Sequence, residues 1–297
     1  MSDTDSGSPA ERFERRRARL TALAFRMLGA SGEAEDAVQE TWMRLSRTDI
    51  DDIRNLDGWL TTVLSRICLD VLRAREVRQE YPLGSVVPET IPSAATLGPE
   101  DRAVLTEEME RAVLVLLHRL HPAERVAFVL HDMFEVPFYE IAEILNRSPN
   151  AARLLASKAR HRVVGESDGL RPDTLREHRI VRAFLAAVRA GDITAVLNLL
   201  APDITVSADK VAAPGRVPVT ASGARTVARL AAGFATRAEF AAVVLVDGRA
   251  GALVAARDEA PAVMAFTIEG ERIVRIEVIA EPDALAALSL TVPDLGR

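Results

Sequence analysis

The chain has 297 residues, enough for two or more domains that each bury a core, and its 48% hydrophobic and 27% charged residues are typical of globular proteins. The net charge of −6 argues against a protein that coats nucleic acid indiscriminately, so any DNA contact must come from local basic clusters. A single cysteine, Cys68, excludes an internal disulfide and argues against a cysteine-rich metal site. The sequence has no long apolar run and no signal-peptide core, which predicts a cytoplasmic protein with no membrane contact.

The N-terminal third predicts three helices. Residues 1–10 are small and polar, which indicates disorder. Helical patterns then run from about Ala10 to Leu28, from Ser31 as the N-cap of a second helix, and from about Leu56 to Val77. In the second helix, one apolar stripe is predicted to be buried: Ala34, Ala37, Val38, Thr41 and Leu45. Four prolines between Tyr81 and Pro99 predict a semi-extended linker, and helix resumes near Asp101.

Between Pro122 and Val163 the sequence predicts two helices, a sharp turn and a third, basic helix. Ser148 can cap the third helix through its hydroxyl, and Pro149 suits its first position. Small and apolar residues fall on one side of that helix: Ala152, Leu155, Ala156, Ala159 and Val163. The opposite side is polar and carries Asn150, Arg153, Ser157 and His161, flanked by Lys158 and Arg160. This pattern is typical of a helix-turn-helix that reads a major groove, although a solvated basic helix would look similar.

After a break at Gly165–Asp173 the composition changes. Two helices are followed by four strand-like runs, and in the last run Val274, Ile276 and Val278 alternate with charged residues. Helices followed by a series of strands indicate an α+β domain.

Three segments together resemble the extracytoplasmic-function branch of the sigma-70 factors. They are EDAVQETWMRL (Glu35 to Leu45), DGWLTTVLSRICLDVLR (Asp57 to Arg73) and the helix-turn-helix, in the order and spacing of that family. ITVSAD and AFTIEGERIVRIEVIAEPDAL are similar to the SnoaL-like domain, of the nuclear transport factor 2-like fold, that some of these factors carry. The resemblance implies two all-α sigma domains, the second with the helix-turn-helix, and then an α+β cone-like domain. The expected boundaries are 11–80 for region 2, 81–100 for the linker, 101–165 for region 4 and 173–297 for the SnoaL-like domain.

The resemblance also implies partners and roles. The chain would bind the β′ and β subunits of core RNA polymerase and promoter DNA, as a monomer when free and with no cofactor. The residues expected to dock on polymerase are Asp36, Gln39, Glu40, Met43 and Arg44. The residues expected on the −10 side are Arg54, Arg66, Arg73 and Arg75, in and after a loop that would help melt the promoter. The residues expected against the −35 element are Asn150, Arg153, Leu154, Ser157, Lys158 and Arg160.

Single residues carry further expectations. Arg153 is the candidate for bidentate reading of guanine, while Lys158 and Arg160 contact phosphates. Leu154 stands where these factors usually carry a polar or basic residue, and either contacts a thymine methyl or marks weak −35 reading. Trp42 is predicted to be core rather than a stacking platform, Trp59 is open between the two, and Cys68 is predicted to be a small buried hydrophobe.

Because the fold family that the C-terminal domain resembles includes enzymes, a catalytic acid–base pair would mark an active site there. The candidates are His178, expected to be solvated, Asp203, expected in a turn, Asp209 and Glu277. They form no catalytic pair and no metal site, so the chain is predicted not to be an enzyme. Asp209, Lys210 and Val211 are instead assigned a regulatory contact with the sigma domains, although neither the DGGG nor the Trp-Leu-Pro element that the resemblance leads us to expect is present in full.

Three functions follow as hypotheses. In the first, a promoter-specificity factor is modulated in cis by its C-terminal domain, which packs on the sigma domains. In the second, the chain is a stand-alone DNA-binding regulator. In the third, the C-terminal domain is an enzyme or ligand sensor with a DNA-binding output.

Overall fold

A computed structural model describes residues 8–78, 107–165, 172–255 and 261–292. The chain forms two compact units, residues 1–103 with 117–160 and residues 104–116 with 161–297. Most of the predicted N-terminal disorder, the predicted linker 81–100 and most of the break Gly165–Asp173 lie outside the described residues.

The two ends of helix α1 (Pro9–Leu28) are fixed by side-chain capping and by the backbone conformation of a glycine. The Ser8 hydroxyl accepts the Glu11 N–H at 3.3 Å, and the Glu11 carboxylate accepts the Ser8 N–H at 2.9 Å. This reciprocal capping box satisfies two N–H groups that the first turn leaves free. At the other end Gly29 adopts the left-handed conformation, with φ 81°, so the predicted end of the helix is confirmed.

Helices α2 (Ser31–Leu45) and α3 (Leu56–Arg78) pack on α1. The predicted apolar stripe of α2 is the set of residues that the structure buries. The prediction of Ser31 as N-cap is wrong, because Ala30 holds the N-cap position without a side-chain hydrogen bond and Ser31 is already helical. A short 3₁₀ turn, Ile50–Asp52, lies between the two helices.

The second helical group contains α4 (Glu107–His118), α5 (Pro122–Phe128), α6 (Phe138–Leu145) and α7 (Pro149–Val164). Helix α5 continues into a π-helical turn, Val129–Met133, which the sequence pattern did not predict. Ser148 caps α7 as predicted, because its hydroxyl accepts the Ala151 N–H at 3.2 Å. The predicted start near Asp101 lies outside the described residues.

The C-terminal part is an α+β domain, as predicted. Its helices are α8 (Pro172–Arg189), α9 (Ile193–Leu199), α10 (Ala224–Gly233), α11 (Ala235–Ala238) and α12 (Pro282–Ala287). Its strands are β1 (Leu200–Ala208), β2 (Val219–Ser222), β3 (Ala241–Val246), β4 (Arg249–Val254), β5 (Ala262–Glu269), β6 (Arg272–Ile279) and β7 (Leu290–Thr291).

These strands form one mixed sheet in the order β2-β1-β6-β5-β4-β3-β7. Strand β1 runs parallel to β6, and the other pairs are antiparallel. Helices α8 and α10 contribute buried side chains to the same core as the sheet, where the Phe184 ring meets the Phe266 ring edge-on at 5.6 Å. The four predicted strand-like runs correspond to β3–β6, whereas β1, β2, β7 and α10 were not predicted.

Within the described ranges, every helix is too short or too polar to span a bilayer.

Candidate nucleic-acid and polymerase interfaces

Helix α7 presents one polar side to solvent. Its buried stripe of Ala152, Ala156, Ala159 and Val163 faces the protein interior. All six residues predicted for the −35 element are exposed on the opposite side, and Leu154 keeps 58% of its surface accessible. The structure therefore brings these six side chains together on a face that could enter a major groove.

Two arginines of this face are held by residues that precede α7 in the chain. The Arg153 guanidinium lies 5.3 Å from the centre of the Phe138 ring, which in turn packs on the His131 ring at 3.9 Å. The Arg160 Nε donates to the Asp132 carboxylate at 2.6 Å, and its Nη2 pairs with the same carboxylate. The sequence analysis did not identify Asp132 or Phe138 as partners of α7. A local sequence pattern does not show which side chains the π-helical turn and the start of α6 bring next to α7.

The outward side of α2 carries the residues predicted to dock on polymerase. Asp36, Gln39, Met43 and Arg44 are exposed, and Glu40 is half-buried. Arg44 pairs with Glu40 one turn earlier, at 3.0 Å. Met43, with 39% of its surface accessible, adds a flexible apolar contact to an otherwise charged face.

The four arginines predicted for the −10 side differ in their exposure and in their hydrogen bonds. Arg54 and Arg73 are exposed, and Arg73 lies 3.9 Å from Asp70. Arg66 donates to the backbone carbonyl of Glu143, in α6, at 3.1 Å. Arg75 is buried: it donates to the Leu28 carbonyl at 2.9 Å and pairs with Glu33, so the structure does not bring it to the surface with the other three.

Known proteins share these helices and their order. The sigma-70 region 2 family matches residues 12–78, and the sigma-70 region 4 family matches residues 110–163. The ECF RNA polymerase sigma factor SigJ of Mycobacterium tuberculosis (strain ATCC 25618 / H37Rv) is 38% identical over 290 residues, which cover 91% of this chain and 91% of SigJ. The chain belongs to the extracytoplasmic-function sigma factors.

Two further comparisons extend over nearly the whole sigma factor. The probable ECF RNA polymerase sigma factor SigI of Mycobacterium tuberculosis (strain CDC 1551 / Oshkosh) is 36% identical, over 97% of this chain and 98% of SigI. The crystal structure of Mycobacterium tuberculosis SigJ aligns with 92% of this chain and 97% of its own, at 33% identity and a TM-score of 0.44.

The tryptophans and the cysteine of region 2 lie in or near its core. Trp42 is half-buried and its ring packs on the buried Phe13 ring at 5.2 Å, so it contacts the core without being enclosed by it as predicted. Trp59 is half-buried, which leaves its role open. Cys68 is fully buried as predicted, and burial raises the pKa of its thiol to about 12, so the thiolate that would react is suppressed.

In the C-terminal domain of the sigma factor, Asp209 ties the end of β1 to the start of α12. Its carboxylate accepts four backbone N–H groups, from Val211, Ala212, Ala280 and Glu281, at 2.6–2.9 Å. Burial alone would raise the pKa of Asp209, but these four donors hold it below its ordinary value. Lys210 is exposed and lies 3.1 Å from Glu281. These four hydrogen bonds thus give Asp209 a structural role within the C-terminal domain.

The acid–base candidates of this domain differ in their surroundings. The prediction that His178 is solvated is wrong: it is 6% exposed, and burial with the nearby Arg182 charge lowers its pKa. Asp203 lies within β1 rather than in a turn, and Glu277 is exposed on β6, 4.0 Å from Arg275. Among the described residues, no three His, Cys, Asp or Glu side chains form a group that could hold a metal ion.

Proposed function

We propose that this sigma factor recruits core RNA polymerase to promoters through the residues assigned above, and that it supplies no chemistry of its own. The observation that carries the proposal is the exposed polar face of α7, which lies opposite a stripe of buried alanines and contains no acidic residue. A helix that is small and apolar on one side and polar and basic on the other suits a major groove with a packed scaffold behind it.

Region 2 supplies the polymerase contact and the −10 contact. The exposed face of α2, from Asp36 to Arg44, docks on the β′ subunit, and region 4 adds a contact to β. Arg54, Arg66 and Arg73 contact phosphates near the −10 element, since such contacts need only an accessible charge. Arg75 is left out of this set, because its guanidinium is buried and already bonded to Leu28 and Glu33.

The C-terminal domain modulates these activities in cis, in a chain that is cytoplasmic and monomeric when free. The division of the chain into two compact units supports modulation in cis. Residues 104–116, which belong to the predicted region 4, form one compact unit with residues 161–297. Moreover, the Val292 N–H donates to the Val163 carbonyl in the last turn of α7 at 2.7 Å. The last described residue of the C-terminal domain therefore bonds to the last turn of the recognition helix.

Binding of the full chain to core RNA polymerase, followed by transcription from a cognate promoter, tests the proposal. A truncation after residue 168 would divide one compact unit, so point variants are preferable. Met43→Asp should abolish co-elution with polymerase, and Arg153→Ala should preserve co-elution while lowering promoter-dependent transcription. Arg15→Met, at an exposed position of α1, serves as the matched control.

Two outcomes would replace the proposal. If the wild-type chain fails to bind polymerase but binds duplex promoter DNA, it is a stand-alone regulator. If neither polymerase nor DNA binds, the function resides in the C-terminal domain.

A further inference from the structure

Three side chains from three consecutive elements stack beside the exposed polar side of α7. His131 belongs to the π-helical turn, Phe138 is the first residue of α6, and Arg153 lies near the start of α7. The centres of the His131 and Phe138 rings are 3.9 Å apart, and the ring planes are tilted by 31°. The Arg153 guanidinium lies over the Phe138 ring at 5.3 Å. We call these three side chains the His–Phe–Arg stack.

The segment between the π-helical turn and α6 holds the Phe138 ring in place. The Val136 N–H donates to the Leu130 carbonyl at 2.9 Å, and Glu135 adopts a positive φ of 55°. The His131 Nδ1 donates to the Val136 carbonyl oxygen at 3.2 Å, because a carbonyl oxygen can only accept. The imidazole against which Phe138 packs is therefore itself oriented by a hydrogen bond.

The stack holds Arg153 without using its hydrogen-bond donors. The Phe138 ring attracts the guanidinium charge but offers no oxygen or nitrogen acceptor, so the N–H groups of Arg153 stay available. Within the described parts of the chain, Arg153 has neither a carboxylate partner nor a carbonyl acceptor. Arg160 differs, because its Nε and Nη2 both bond to Asp132. Of these two arginines, Arg153 is therefore the one with donors free for guanine N7 and O6 in a major groove.

Restraint of Arg153 before DNA arrives favours reading of a base. A long, exposed side chain loses rotamer freedom when it is fixed on a base, and this loss lowers the affinity. The Phe138 ring restricts Arg153 beforehand, so less freedom is lost on binding. A bidentate contact also requires two donors to align with N7 and O6 at once, whereas a phosphate contact carries no sequence information.

We propose that Phe138 is a specificity-determining positioning residue: its ring, held by His131, orients Arg153 toward one guanine of the −35 element. Phe138 and His131 themselves touch no base in this arrangement. The side chain at position 138 then sets how strongly that guanine is preferred, while the number of phosphate contacts stays the same. The proposal rests on the function proposed above.

The experiment measures binding of promoter duplexes by holoenzyme, assembled from the full chain and core RNA polymerase, with fluorescence anisotropy at one salt concentration. Each guanine of the −35 element is replaced in turn by 7-deazaguanine, which removes the N7 acceptor and keeps the base pair. Wild type should bind one of these duplexes about ten-fold more weakly than the unmodified duplex, which is within the range of a bidentate contact. Arg153→Ala should lose this sensitivity.

Variants at position 138 separate the ring from its apolar bulk. Phe138→Leu keeps an apolar side chain but has no ring, so the sensitivity should fall to about three-fold or less. Phe138→Tyr keeps the ring and should retain the wild-type sensitivity. The log–log salt slope of both variants should equal that of wild type, because no phosphate contact changes. Tyr139→Leu removes the neighbouring ring, which is 61% exposed, and is the matched control that should keep full sensitivity.

The sensitivity is a ratio of two affinities of the same protein. Partial unfolding lowers both affinities equally and leaves the ratio unchanged, so a purely structural role of Phe138 would not alter it. If Phe138→Leu does not co-elute with polymerase, Phe138→Met supplies a second side chain of similar size without a ring.

The proposal is overturned if Phe138→Leu stays as sensitive as wild type, or if Phe138→Tyr loses the sensitivity as Phe138→Leu does. It is also overturned if wild type shows no sensitivity at any guanine, or if Arg153→Ala keeps it. Failure of the wild-type chain to bind polymerase would instead contradict the proposed function, so the two failures are distinguishable.

Discussion

At the scale of single residues, Asp132 is predicted to limit how much of the charge on α7 is available to DNA. Its carboxylate holds Arg160 at 2.6 Å, and it is largely buried, whereas Arg160 is exposed. Asp132→Asn removes the competing negative charge, so Arg160 should gain one phosphate contact. Polymerase carrying this variant should bind promoter DNA more tightly, with a log–log salt slope about 0.9 steeper.

Arg160→Gln is the matched variant and should shift the same salt slope in the opposite direction. If Asp132→Asn weakens binding instead, the carboxylate orients Arg160 for DNA rather than competing with DNA for it.

Leu154 is the apolar exception on the exposed polar side of α7. If it contacts a thymine methyl, replacing that thymine by deoxyuridine removes only the methyl group. Burial of one methyl group contributes about 0.8 kcal/mol, so affinity should fall roughly four-fold at one position of the −35 element. Scanning each thymine in turn with wild type and Leu154→Ala checks this, because the variant should lose the sensitivity. Equal sensitivity in both proteins would exclude the contact.

At the scale of elements, the carboxylate of Asp209 should stabilise the junction between β1 and α12. Asp209→Asn keeps the shape but loses the charge that four N–H donors share, at a cost of about 2–3 kcal/mol. Hydrogen exchange at the amides of Val211, Ala212, Ala280 and Glu281 should accelerate accordingly. Asp203→Asn, exposed on the same strand, is the control and should leave these amides unchanged.

The pH dependence of this effect follows from the lowered pKa of Asp209. A carboxylate with a lowered pKa stabilises the folded state fully above its unfolded pKa of about 3.9. That contribution is lost as the pH falls from there through the folded pKa. The difference between wild type and Asp209→Asn should thus be constant at neutral pH and shrink below about pH 4. A difference that shrinks already near neutral pH would assign the stabilisation to another group.

Elements with a strong local pattern could be predicted, and those set by their neighbours could not. The alternation of Val274, Ile276 and Val278 predicted β6, and Ser148 with Pro149 predicted the start of α7. Strand β1 follows α9 without a break, so Pro202 and Asp203 looked like a turn. Its strand character comes from pairing with β2 and β6, which no local pattern encodes.

At the scale of the whole molecule, the sequence predicted which faces of region 2 and region 4 are exposed but not how these regions meet. Arg125 lies beside the apolar stripe of α5, where a charged residue normally faces solvent. Its burial against the Arg26 carbonyl depends on contacts between residues about 100 positions apart. The predicted phosphate contact of Arg75 is not available for the same reason. Its side chain is buried because helix packing places it next to its partners Leu28 and Glu33.

The stability of the first compact unit should also respond to pH through His118. Burial, with the adjacent charges of Arg125 and Arg75, lowers the pKa of His118 well below its ordinary value. A folded state that lowers a histidine pKa is fully stable above the unfolded-state pKa of about 6.5 and loses stability as the pH falls below it. The loss is limited to about 1.4 kcal/mol per pH unit, so the free energy of unfolding, measured with urea, should fall as the pH is lowered through about 6.

His118→Gln should therefore abolish this loss of stability on acidification. His121→Gln, which replaces a histidine at an exposed position, is the matched control and should lose stability as wild type does. If His118→Gln also loses stability on acidification as wild type does, the destabilising proton binds elsewhere.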